Sequence, residues 1–171
     1  MEQGYKGYKG AATRTYKKLY GYKNLLAWQA ADDLATCVHN LVVPFKPRYF
    51  DLANQMLSSA TSVKANIAEG YCRNSLGDYI RFSEVARGSL GELGSQIQDC
   101  ERWKLITGSE LEQLLQLYSD TTWLLEKLIK SLRAKRQDGT WDRNLGVKEE
   151  AHNYTVNIAN DDFLELPDEL P

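Results

Sequence analysis

Between residues 22 and 135 apolar positions recur every three or four residues with polar ones between them, the pattern of helices that each bury one face. Leu25, Trp28, Ala35, Val38 and Val42 outline a first helix, ended by Pro44 and Pro47 because proline has no amide proton to give the helix. Ala53, Met56, Leu57, Ala60, Val63 and Ile67 outline a second, from near Asp51 to Glu69, with Gly70 as its C-terminal stop. Ser75 and Asp78 resemble a capping box that opens a third, striped by Tyr79, Phe82, Ala86, Leu90, Leu93, Ile97 and Cys100. Ser109 and Glu112 form a similar pair for a fourth, carried by Leu111, Leu114, Leu115, Tyr118, Leu125, Leu128, Ile129 and Leu132. No alternating run rich in Val, Ile and Thr predicts a strand. Four amphipathic helices with short connections predict an all-α, up-down four-helix bundle.

One stretch interrupts this regularity. In ARGSLGELGS, residues 86 to 95, Gly88, Gly91 and Gly94 lie three apart inside the third helix, each costing about 1 kcal/mol relative to alanine. A phosphate-binding loop is excluded, since the spacing matches neither known glycine motif and no strand precedes it. On a helical wheel Gly88, Gly91 and Ser95 fall opposite the Phe82, Ala86, Leu93 and Cys100 stripe, in line with Arg81, Glu84, Gln98 and Arg102. A smooth outward strip of this kind is expected where another backbone approaches closely, so these positions predict a contact between protomers.

At 171 residues, with 43% hydrophobic and 26% charged residues, the chain has the size and composition of one soluble domain. Its net charge of −2 is unevenly placed. Residues 1–21 form a basic tail in which Tyr5, Tyr8, Tyr16 and Tyr20 alternate with Lys6, Lys9, Lys17 and Lys18, a pattern suited to single-stranded nucleic acid or to a plain solubilising arm. Residues 136–171 are acidic towards their end and read as mostly disordered, although NDDFLELPDELP also suits a docking peptide. No apolar run is long enough for a membrane span, and the basic start lacks the apolar centre of a secretory signal, so a cytoplasmic protein without membrane contact is expected.

Enzymatic chemistry has little to build on. Cys37, Cys72 and Cys100 have neither disulfide-framework nor zinc-site spacing. His39 and His152 belong to no metal-ligand pair, and the Glu-x-x-His of di-iron bundles occurs once, at Glu149 and His152, where two copies on core helices are needed. Asp32 and Asp33, being adjacent, point about 100° apart and cannot work as a simple carboxylate pair. No catalytic residue, metal site or cofactor is expected.

The run NIAEGYCRNSLGDYIRFSEVARGSLGEL, Asn66 to Leu93, preceded by YKNLLAWQAADDL, Tyr22 to Leu34, resembles the four-helix-bundle proteins encoded in intervening sequences of bacterial 23S ribosomal RNA. That family is similar to the accessory variability determinant (Avd) of diversity-generating retroelements. The resemblance covers roughly residues 22 to 133 and neither tail. It implies a small helical protomer without a catalytic centre that assembles into a ring, usually a homopentamer. On the Avd side it implies binding to a reverse transcriptase and its template RNA. Asn66, Glu69, Arg73, Arg81, Arg87, Ser89 and Glu92 match the recurrent polar positions, while Gly91 and Gly94 depart from the family habit.

Two readings of that polar set stay open. In one, Asn66, Glu69, Arg73 and Arg87 form a cluster that locks the second helix to the third, with Glu69, disfavoured by the helix dipole, paired to Arg73 or Arg87. In the other, Arg73, Arg81 and Arg87 join Lys6, Lys9, Lys17 and Lys18 in contacting phosphates. Two functions follow: a ring-forming accessory protein that brings RNA and a reverse transcriptase together, or a protein-only oligomeric scaffold with no nucleic-acid role. The sequence pI of about 5.7 weighs against the first and the basic tail for it.

Overall fold

The structure, a computed structural model, describes residues 21–141. Lys6, Lys9, Lys17 and Lys18, and nearly all of both tails, lie outside the described residues. A 3-10 turn at Gly21–Asn24 leads into α1 (Leu26–Val42), and a second at Pro47–Tyr49 leads into α2 (Phe50–Cys72). Then come α3 (Leu76–Arg102) and α4 (Gly108–Gln137), with no strand among the described residues. Each helix packs against its two neighbours, α1 on α2, α2 on α3, α3 on α4 and α4 on α1, and none packs across the diagonal. This is the square, up-down arrangement of a four-helix bundle. No described helix is long and apolar enough to cross a membrane.

The buried stripes are largely those of the sequence pattern. Leu34 and Val38 of α1, Met56 and Ile67 of α2, Leu93 and Ile97 of α3, and Leu114, Leu125 and Ile129 of α4 are almost wholly withdrawn from solvent. Burial of each such side chain contributes about 1.5–3 kcal/mol, which outweighs any single helix propensity in the bundle. The buried hydroxyls of Ser83 and Thr121 donate to the carbonyls of Tyr79 and Leu117 one turn back, so neither is left without a hydrogen bond in the core.

Ser75 caps α3, its hydroxyl accepting from the Asp78 amide at 3.0 Å and donating to the Asp78 carboxylate at 2.9 Å. Two expectations are corrected. The fourth helix starts at Gly108 with Thr107 at the N-cap and no side-chain cap, so Ser109 and Glu112 lie inside it. Gly70 is no stop either: α2 runs on to Cys72, and Gly70 is buried within it. A β-carbon there would stand 2.9 Å from Tyr79 Cδ2, 3.1 Å from Phe82 Cβ and 3.2 Å from the Tyr79 carbonyl oxygen. The glycine is needed because α3 crosses directly over it.

Candidate functional site

The outer face of α3 follows from its register. A β-carbon added at Gly88 or Gly91 would meet nothing within 4 Å, so these two glycines are open. Gly94 differs from them: a β-carbon there would collide with the Tyr118 ring, 2.9 Å from Cζ. It therefore has a reason inside the protomer, the close passage of α4, and drops out of the argument from unexplained glycines. Ser95, exposed, lines an open cleft of about 500 Å³ between α2 and α3 with Gln55, Ser58, Ser59, Glu92, Gln96 and Asp99.

Below that face α2 and α3 are joined by polar groups. Ser62 and Ser89 share a hydrogen bond of 2.9 Å, and the Asn66 amide donates to the Ser62 carbonyl at 2.8 Å and to its hydroxyl at 3.0 Å. Ser59 donates to Glu92 at 3.4 Å and accepts from Gln96 at 3.3 Å. The buried Gln96 Oε1 has no hydrogen-bond partner among the described residues.

The arginines are distributed differently from a single cluster. Arg73 pairs with Glu69 across the last turn of α2, where its charge also suits the helix C-terminus. Arg87 pairs with Glu126 of α4 at 3.7 Å, and Asn66 belongs to the serine seam. Arg81 pairs with Asp78 at 3.6 Å. Arg73 and Arg81 do meet at one side chain, for their guanidinium carbons lie 4.9 and 4.4 Å from the centre of the Phe82 ring. Each of the three arginines is about half exposed and each already faces a carboxylate.

The opposite end of the bundle was not singled out by the sequence pattern. There the α1–α2 and α3–α4 connections come together, with Tyr49 and Trp103 stacked at 6.3 Å and 23°, Phe45 edge-on to Tyr49 at 6.5 Å, and the Arg48 guanidinium 4.7 Å from the Tyr49 ring. Val43, Phe50 and Trp103 are 67%, 51% and 53% exposed. The α3 terminus is a Schellman turn, with Leu105 N–H on the Cys100 carbonyl at 2.8 Å and Lys104 N–H on that of Glu101 at 3.1 Å. Its left-handed position is held by Lys104 at φ 55°, where glycine would be unstrained; a side chain there costs about 1 kcal/mol. The signal was present as two short basic-aromatic runs, KPRYF and RWK, which only the topology brings to one end.

For chemistry the described residues offer little. They contain no group of three or more His, Cys, Asp or Glu side chains able to hold a metal ion. Burial, with the nearby Asp99 charge adding to it, pushes the Cys100 thiol up to about 11, which keeps it protonated and inert. Burial likewise raises Tyr118 above its ordinary value, a hydrogen bond with Thr122 opposing the shift.

Known proteins give the surfaces a family. No curated protein matches the chain. A crystal structure at 1.70 Å of a protein with unknown function from the S23 ribosomal protein family, from Bacteroides thetaiotaomicron VPI-5482, is similar with a TM-score of 0.56 and 23% identity, covering 61% of this chain and 99% of that one. At that identity the likeness concerns the fold. The family described as 23S rRNA-intervening sequence protein matches residues 23–127, more than half of the chain and all four helices in whole or part. The chain therefore belongs to the 23S rRNA-intervening sequence protein family.

Proposed function

We propose that this protein is a non-enzymatic scaffold of the cytoplasm that joins copies of itself through the outer face of α3 and acts by contact, with no cofactor. The observation that carries this reading is the pair of open glycines, Gly88 and Gly91, in the middle of a long helix beside the cleft that Ser95 lines. Each loses about 1 kcal/mol of helix propensity that nothing inside the protomer requires, and a second backbone packed on the strip would offset the loss. A ring of identical subunits, a pentamer on the family resemblance, uses two different patches per protomer, so one blocked patch opens every interface. Light scattering tests this: the wild-type chain is expected as an oligomer at micromolar concentration and Gly91→Trp as a monomer. A wild-type monomer rejects the scaffold, and an oligomer indifferent to Gly91→Trp rejects the glycine face.

A second reading, an accessory protein that holds RNA for a reverse transcriptase, is favoured by the two guanidinium groups over Phe82, with Lys6, Lys9, Lys17 and Lys18 as further phosphate contacts. Against it stands the carboxylate partner of each of Arg73, Arg81 and Arg87. Binding of an RNA probe that falls steeply with salt, and less steeply once residues 1–21 are deleted, supports this reading; no shift of the probe at low salt rejects it.

A further inference from the structure

We propose that the acidic segment 142–171 pairs with the basic segment 1–20 of the same copy, a self-contact that screens the lysines of the basic segment from other polyanions. The first ground is where charge lies along the chain. Residues 21–141 carry fourteen basic and fourteen acidic side chains, so the bundle has no net charge to offer either segment. Residues 1–20 hold five basic side chains against Glu2, and residues 142–171 hold eight acidic ones against Arg143 and Lys148. Each segment is thus the main countercharge of the other within the chain.

The second ground is that the bundle starts both segments from one place. At the first root, a β-carbon on Gly21 would stand 4.0 Å from the Tyr71 ring. At the second, α4 closes in a turn, with Gly139 at φ 62°, Asp138 N–H on the Ala134 carbonyl at 2.9 Å and Thr140 N–H on that of Lys135 at 3.2 Å. That turn sets the half-buried Trp141 edge-on to Tyr79, ring centres 6.1 Å apart, and Tyr79 meets Tyr71 edge-on at the same 6.1 Å. Two tyrosine rings in contact therefore span from one root to the other. Segments tethered this closely meet at an effective concentration on the order of millimolar, so oppositely charged chains need only a weak affinity to stay paired. Carboxylates of the bundle beside the roots compete poorly for the lysines, since Glu69 and Asp78 already pair with Arg73 and Arg81.

The test is carbodiimide crosslinking of the full-length chain at low salt, which joins a lysine amine to a touching carboxylate as an amide with loss of water, read by mass spectrometry. Mixing unlabelled with nitrogen-15-labelled chains separates bonds within one copy from bonds between copies. Crosslinks within one copy from lysines of residues 1–20 to carboxylates of residues 142–171 are expected, several-fold fewer at about 1 M salt, where charges are screened beyond about 3 Å. The full-length variant with Glu149→Gln, Glu150→Gln, Asp161→Asn and Asp162→Asn is expected to lose most of them and to bind an oligouridine probe several-fold more tightly than wild type. Lysines joined chiefly to carboxylates of the bundle or of another copy overturn the proposal, as do carboxylates of residues 142–171 joined chiefly to bundle lysines such as Lys135. So does an affinity for oligouridine that the variant leaves unchanged or undetectable. The pairing does not rest on the α3 face: Gly91→Trp is expected to keep the crosslinks, so failure of either proposal leaves the other standing.

Discussion

Where α2 turns into α3, every arginine is answered by the chain itself: Arg73 by Glu69 and Arg81 by Asp78, both against Phe82, with Gly70 letting the two helices touch. Where α1 turns into α2 and α3 into α4, basic and aromatic side chains also meet, yet Lys46, Arg48 and Lys104 form no ion pair among the described residues, and Val43, Phe50 and Trp103 are exposed. Aromatic and basic residues side by side thus have no fixed meaning. Charges satisfied within the protomer add to its fold, while charges left over are available to something else, and only the three-dimensional neighbours decide between them.

The contrast can be broken most severely at its packed end. Gly70→Val places branched carbons against the Tyr79 backbone, and a loss of about 3 kcal/mol is expected in urea unfolding, whereas Trp103→Ala at the open end should cost well under 1 kcal/mol. A second measurement asks whether the open end rests on a firm base. Cys100, 0% exposed and three residues before Trp103, keeps its proton to about pH 11 when folded, against 9 ordinarily. Its contribution is complete below pH 9 and is lost as pH rises towards 11, because the unfolded chain gives up the proton first. Stability should fall by about 2 to 3 kcal/mol over that interval, and the slope should flatten in Cys100→Ala.

Smaller effects sharpen the comparison. Lys104→Gly removes the left-handed strain and should raise stability by about 1 kcal/mol, a gain readable as a higher urea midpoint. Glu69→Gln should lower stability by about 0.5 kcal/mol at most, less in high salt, since the Glu69–Arg73 pair is half exposed. A much larger loss would mean that the packed end depends on its ion pairs after all.

Most of the fold was legible because a buried face repeats: Leu90, Leu93, Ile97 and Cys100 announce α3, and Ser75 its start. Glycine was not. A wheel assigns Gly88, Gly91 and Gly94 to directions, but whether a direction meets solvent or the Tyr118 ring depends on where α4 lies, and Gly70 looks like a helix stop until Tyr79 is seen across it. The start of α4 was misplaced for a related reason, Thr107 being a cap by backbone conformation without a side-chain bond. The arginines Arg73, Arg81 and Arg87 could be read as a set only while their partners were unknown, since Glu126 lies thirty-nine residues beyond Arg87. The basic-aromatic end was missed because its halves, Lys46 to Phe50 and Arg102 to Lys104, lie more than fifty residues apart.

The serine seam has a mechanical consequence. Ser59, Ser62 and Asn66 on α2, and Ser89, Glu92 and Gln96 on α3, repeat at the same intervals of three and four in opposite directions; Ser59 bonds across to Glu92 and Gln96 and Ser62 to Ser89, while Asn66 bonds to Ser62 within α2. Sliding either helix by one turn, about 5.4 Å, would break these cross-helix bonds, so they favour one register of the two helices and oppose shear between them.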